Sequence, residues 1–270
     1  MKSLLVIAAA ACGCVMAGAG EIPGSPMVPI PGGEYLRPLE KGATPRVVAS
    51  FFLDVRQTTN AEFLAFVIAH PQWRRSNINR LFAEKSYLSH WAGDTELGPG
   101  APADSPVVSV SWHAARAFLK AAGKRLPTVD EWEFAARADE FKPDASSEPA
   151  FRRKILDWYS KPNPAVLPPV SSQPPNFYGV SGMHGLVWEW TGDFVSAMSS
   201  GEGRSDGSPD AQLFCGGGGA DPNQAIEYAN FMRIAVRSSL QGDFCLPGLG
   251  FRGARDMPVP PAVDQPAKQP

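Results

Sequence analysis

The sequence predicts an α+β fold that is rich in loops, with short strands and a few helices. Three observations carry this reading. Apolar residues recur at helical spacing in only a few segments, all in the first half of the chain. Glycine and proline are abundant, 26 and 27 among 270 residues, and follow no period, so the chain needs many turns and is not collagen-like. No strand-helix-strand alternation runs along it, which argues against a doubly wound parallel sheet. Hydrophobic residues make up 44% and charged residues 19%, ordinary for a globular chain and far from wholesale disorder. Lys and Arg number 25 against 27 Asp and Glu, a net charge of −2 without the basic footprint of a nucleic-acid binder.

The elements follow in order. Residues 1–19 read as a signal peptide: Lys2, an apolar run over 4–16, and the small-x-small site Ala17-Gly18-Ala19. The run is too short to span a membrane. Cys12 follows Ala9-Ala10-Ala11 rather than the large apolar residue of a lipoprotein site. A periplasmic or secreted protein without a membrane span is therefore expected. Residues 20–26 read as a flexible lead, 27–256 as one domain, and 257–270, with five prolines, as a disordered tail. Within the domain, 27–33 reads as a strand running into a turn and 46–53 as a second strand. Thr59 and Glu62 form a capping box, opening a helix with Phe63, Phe66 and Val67 on one face. Residues 71–104 are irregular and aromatic-rich, a packed shell or a functional loop. Ser111 caps the next helix, in which Ala115, Phe118, Leu119 and Ala122 share a face and Gly123 supplies the stop. Thr128 and Glu131 form a second capping box, and that helix turns Trp132, Ala135 and Ala136 inward. Residues 139–175 read as an excursion loop, 196–210 as mobile, and the rest of the second half as loops and short strands.

Chemistry-bearing motifs are sparse. Signal cleavage leaves two cysteines, Cys215 and Cys245. They could form a disulfide, worth about 3–4 kcal/mol for a loop of this length, stay independent thiols, or share a metal. A bridge requires Cα atoms within about 7 Å. The four glycines at 216–219 lack the Lys-Ser/Thr of a phosphate loop. His70, His90, His113 and His184 are scattered without metal-ligand spacing, each read as a hydrogen-bonded structural residue. Ser181 lacks a nucleophile-elbow context.

A set of strings stands out: PVVSVSW (106–112), GKRLPTVDEWEFAAR (123–137), NFYGVSGMHGLVWEWTGD (176–193), AVRSS (235–239) and LGFR (249–252). In this order they resemble the formylglycine-generating enzyme, or sulfatase-modifying factor, family over about residues 27–256. The resemblance implies a fold related to C-type lectins. In these strings Arg125 and Arg137 flank the second capping-box helix and are read as partners of Glu131 or Glu133. Trp188 and Trp190 alternate around Glu189, so one belongs in the core and Glu189 becomes a hub for loop amides. Arg252 reads as an internal pin. These are scaffold roles.

The chain also departs from the family. The family's oxidase chemistry, as the resemblance implies it, uses two cysteines five residues apart that hold copper(I), a soft metal suited to thiolates. Counting back from Ala235 places them near Gln224 and Ala229, and no cysteine lies between 216 and 244. The standard copper site is therefore not supported. Calcium is doubtful: Leu186 replaces the usual Asn of Gly-Asn-x-Trp-Glu-Trp and Gly182 stands where Asp is common, whereas calcium needs several oxygen ligands. In place of the thiols stand Asp221, Gln224 and Asn230, read as cleft residues, and Glu227, Tyr228 and Arg233, read with the upstream Cys215 as catalytic candidates. The alternative is that Tyr228, Phe231 and Met232 pack and the polar residues are solvated. The resemblance is to the exported NirV- and PvdO-like branches. It implies a maturation or modification factor, an oxidoreductase if an enzyme, acting on a periplasmic protein or small molecule. The other reading is a non-catalytic binding or assembly factor that uses the same cleft.

Overall fold

The computed structural model describes residues 24–37, 44–194 and 222–258; for 222–227 only the helical backbone is described. The expected signal peptide, mobile segment, most of the tail, Cys215 and Asp221 lie outside these residues. Strands β1 (Met27–Ile30), β4 (Phe51–Asp54) and β7 (Ala254–Asp256) form an antiparallel sheet in the order β1-β4-β7. Strands β2 (Gly33–Tyr35) and β3 (Arg46–Val48) form an antiparallel pair, and β5 (Trp188–Glu189) and β6 (Leu249–Gly250) a parallel one. The helices are α1 (Asn60–Ala69), α2 (Trp112–Ala121), α3 (Val129–Ala136), α4 (Pro149–Tyr159) and α5 (Pro222–Ser239). The α+β, loop-rich architecture matches the expectation.

Both capping boxes form. Thr59 accepts from the Glu62 amide while Glu62 reaches back to the Thr59 amide, and Thr128 and Glu131 do the same. Each satisfies two amide groups that a helix start leaves open. Ser111 caps α2, and Gly123 adopts a positive φ of 67° beyond its end. Phe63 and Phe66 of α1 meet Phe118 of α2 with centroids 5.6 and 5.5 Å apart. Burial of each such side chain stabilises by about 1.5–3 kcal/mol. This core includes Tyr87 and Trp91, so the irregular loop contributes packed aromatics. A second core joins the β1-β4-β7 sheet to α3 through Leu53, Trp132 and Phe134.

Two expectations are corrected. The run 46–53 is two strands in different sheets: Val48 pairs with Gly33, and Phe51 pairs with Ile30. The bend follows the tight turn at Gly32 (φ 68°), where a Cβ would lie 2.3 Å from the Val48 carbonyl oxygen. The segment 139–175 is not all loop, because α4 forms within it, started by Pro149 and buried at Ile155. Helix α5, 18 residues long, is the longest helix in a second half that is otherwise mostly loops and short strands among the described residues; it carries Gln224 and Asn230 of the predicted cleft residues and packs against α4.

The short β5-β6 ladder positions the centre of the molecule. It pairs Glu189 with Gly250, bringing the VWEW and LGFR strings side by side. At Gly250 a Cβ would lie 2.6 Å from the Val107 carbonyl oxygen, so only glycine fits this crossing.

Candidate functional site

Two buried carboxylates organise the region between α3, α4, α5 and β5. Glu189 accepts from Arg252 (Nε to Oε2 2.7 Å, Nη2 to Oε1 2.8 Å), from Gln57 Nε2 (2.7 Å) and from Trp132 Nε1 (2.9 Å). The hub is real, but its donors are side chains rather than the loop amides expected. Arg252 is fully buried and also donates to the carbonyls of Asp54 and Ser181, tying β4 and the 176–193 string to the chain after β6. Trp190 is buried, while Trp188 stacks on Tyr159 of α4 at 5.0 Å. Arg125 pairs with Glu131 at 2.7 Å. Arg137 does not take Glu133; it lies over the Phe134 ring at 4.3 Å and reaches Asp144 at 3.5 Å.

Glu133 is instead held by two guanidinium groups from α5. Arg233 donates through Nε and Nη2 (3.1 and 3.0 Å), and Arg237 through Nη1 (2.5 Å). Arg233 and Arg237 are four residues apart, so one helix face presents both. Burial alone would raise the Glu133 pKa; the two cations reverse that and hold it at about 2. Arg237 stacks on Trp132 at 4.5 Å, linking this cluster to Glu189. Arg233 also donates to Asn230 Oδ1 (2.5 Å) and Tyr159 OH (3.4 Å).

A cleft of about 530 Å³ opens over this cluster, with Glu133, Arg137, Phe151, His184, Ala229 and Arg233 among its walls. A second cavity of about 320 Å³ shares Phe151, Ile155 and His184 with it, so the two adjoin along α4 and together form a groove. His184 Nε2 bonds the Ala136 carbonyl at 2.9 Å, whereas its buried Nδ1 has no hydrogen-bond partner among the described residues. Burial first, and the nearby Arg233 second, lower the His184 pKa to about 3, so the ring is neutral. A neutral ring donating from Nε2 presents Nδ1 as an acceptor.

The predicted residues are distributed as follows. Asn230 and Arg233 line the groove, but Arg233 is committed to Glu133 as a clamp. Tyr228 is exposed. Gln224 and Glu227 fall on the first turns of α5 where side chains are not described, and Cys215 and Asp221 lie outside the described residues. Sequence reasoning missed Glu133 and His184 as groove residues. The available signals were the Arg-x-x-x-Arg spacing on α5 and a Glu between Trp132 and Phe134.

The described residues do not fit the metals the family implies. Ala229, near one expected thiolate position, faces the groove as a methyl group. Cys245 is a free thiol buried in the α1-α2 core, its pKa pushed up to about 12 by burial, which opposes thiolate formation. Both Glu189 oxygens are taken by nitrogen donors, so it offers calcium no free ligand. No cluster of three metal-binding side chains occurs among the described residues, and none of their helices is long and apolar enough to cross a membrane.

Residues 16–257 match the model of the sulfatase-modifying factor enzyme 1-like domain. The chain belongs to this family. It is 31% identical over 175 residues to the serine/threonine-protein kinase pkn1 of Chlamydia pneumoniae, covering 62% of this chain and 28% of that protein. It is 34% identical over 168 residues to the formylglycine-generating enzyme of Streptomyces coelicolor, covering 56% of this chain and 52% of that enzyme. Each alignment therefore spans about half or less of the relative. Among solved structures it is similar to PvdO from Pseudomonas aeruginosa, with 17% identity, a TM-score of 0.45, and coverage of 86% and 94% of the two chains.

Proposed function

We propose that this member of the sulfatase-modifying factor family is an exported maturation factor. It binds a segment of a periplasmic protein, or a small periplasmic molecule, in the groove beneath α4, without standard copper-thiolate chemistry. The observation that supports this reading is Ala229: one place where the resemblance calls for a sulfur ligand opens into the groove as a methyl group. The groove offers the length of two adjoining cavities, apolar contacts from Phe151 and Ile155, and polar ones from Asn230 and Arg152. Arg233 and Glu133 form a rigid floor because they satisfy each other. The Ala17-Gly18-Ala19 site supports export.

A photo-crosslinking residue placed at Arg152, on the groove wall, tests this in cells of the source organism. The expected result is a discrete crosslinked product in the periplasmic fraction, absent when the same residue replaces the exposed Leu81, which lines neither cavity of the groove. Equal labelling from both positions, or retention of the chain in the cytoplasm, contradicts the proposal.

A further inference from the structure

Three guanidinium groups line the larger cavity of the groove, and the fold commits only two of them. Arg233 is held by Glu133, and Arg137 lies over the Phe134 ring with Asp144 at 3.5 Å. Arg152 has no carboxylate partner among the described residues. Its Nε donates to the Ser146 carbonyl at 2.7 Å, which fixes the plane of the group. Its two Nη nitrogens have no partner among the described residues, and neither is shut off from solvent. Ser146 is itself anchored, because Asp144 Oδ1 accepts from its amide (3.0 Å) and its hydroxyl (2.6 Å). Arg152 therefore presents a preset fork of parallel N–H donors, the geometry that matches a carboxylate.

The other open groups around this fork are mostly donors as well. Arg233 occupies Asn230 Oδ1, which leaves the accessible Asn230 Nδ2 unbonded among the described residues. Ser147 is exposed, and its hydroxyl is likewise unbonded. Glu148, the N-cap of α4, makes no cap hydrogen bond and pairs with Lys142 at 2.5 Å instead. The first turn of α4, just before Arg152, thus keeps open amides at the positive end of the helix. Glu34 and Asp144 also line the cavity. They make a doubly charged phosphate or sulfate less favourable there than a single carboxylate. Leu36, 63% exposed, and Phe151 add apolar wall beside the fork.

We propose that Arg152 is a specificity residue, giving the groove a preference for segments that carry a carboxylate next to an apolar side chain. This rests on the reading that the groove holds such a segment. The carboxylate comes from an Asp or Glu side chain or from a chain end. Charge-assisted, two-pronged pairing with the fork favours it over a neutral amide of the same shape. The apolar walls hold the segment even without Arg152, so the residue sets which segment is preferred rather than whether one binds.

The test passes a soluble random peptide library with free C-termini over the immobilised full chain and sequences the retained peptides. Each is then remade with Glu→Gln, with Asp→Asn or with an amidated end. One of these changes is expected to weaken binding about tenfold or more, and which one does so identifies the source of the carboxylate. Arg152→Met is expected to bind the acid and amide forms alike. Arg152→Glu is expected to retain Lys- and Arg-containing peptides instead. Both variants should keep the wild-type melting temperature, since Arg152 is half-buried and an acidic residue suits the first turn of a helix. Retained peptides that bind wild type equally well as acid and amide overturn the carboxylate preference and leave the groove a binding site. An acid preference that persists in both variants overturns the role of Arg152. No retained peptide at all overturns this proposal and the groove reading together.

Discussion

At the residue scale, the two buried carboxylates decide how this molecule responds to mutation and pH. Glu189 and Arg252 are both inaccessible to solvent, and removing either leaves the other as an uncompensated buried charge. Glu189→Ala is therefore expected to cost about 3–5 kcal/mol in urea unfolding; a loss under about 1 kcal/mol would contradict the hub. The pH response has a definite sign. Glu133 has a folded pKa of about 2 against an ordinary 4.5, so its contribution is complete above pH 4.5 and is lost as pH falls toward 2. His184 and His90, lowered to about 3 and about 4 from 6.5, stay neutral when folded but take up protons when unfolded. They too make stability rise with pH, up to 6.5. Asp54 opposes them: burial raises it to about 6 despite Lys124, so it removes stability as pH rises from 3.8 to 6. Urea unfolding between pH 3 and 6.5 should show stability climbing with pH, with a shallower climb below pH 4.5 in Glu133→Gln. Equal slopes in the two proteins would show that Glu133 is not held by its two arginines.

At the element scale, α1, α2 and α3 were legible because their signals are local: a cap, an apolar face and, in α1 and α3, an acidic third residue, all within a dozen residues. Thr128→Ala should therefore cost about 1 kcal/mol in denaturant unfolding, and no loss would mean the box is idle. Helix α4 was illegible because its inward residues, the half-buried Phe151 and the buried Ile155, lie among Arg and Lys, and the helix packs on α5, which is distant in sequence. Helix α5 was illegible because its arginines look solvated until Glu133, a hundred residues away in sequence, is seen to receive them. The break between β3 and β4 depends on pairing with Gly33 and Ile30, which no local pattern reveals. Ile155→Ala should cost about 2–4 kcal/mol and speed hydrogen exchange across 149–159; unchanged exchange there would remove α4 from the groove's roof.

At the scale of the whole molecule, the family strings converge on a scaffold rather than on a reactive centre. VWEW and LGFR meet at β5 and β6 and lock Glu189 to Arg252, while the EWEFAAR string supplies Glu133 to α5. The scaffold was legible because those strings carry it. The groove was only partly legible: Asn230 and Arg233 were named, but the role of Arg233 as a clamp depends on long-range packing. No cysteine lies between 216 and 244, so the paired sulfur ligands that the resemblance implies are missing from the expected places, including Ala229. The most direct test supplies the purified chain with copper(I), dioxygen and a cysteine-containing sulfatase peptide, then measures aldehyde formation with a hydrazide reagent. The account predicts no aldehyde above the protein-free control. Aldehyde formation that disappears in Cys215→Ala would contradict it, by showing that a thiolate outside the described residues completes a working copper centre.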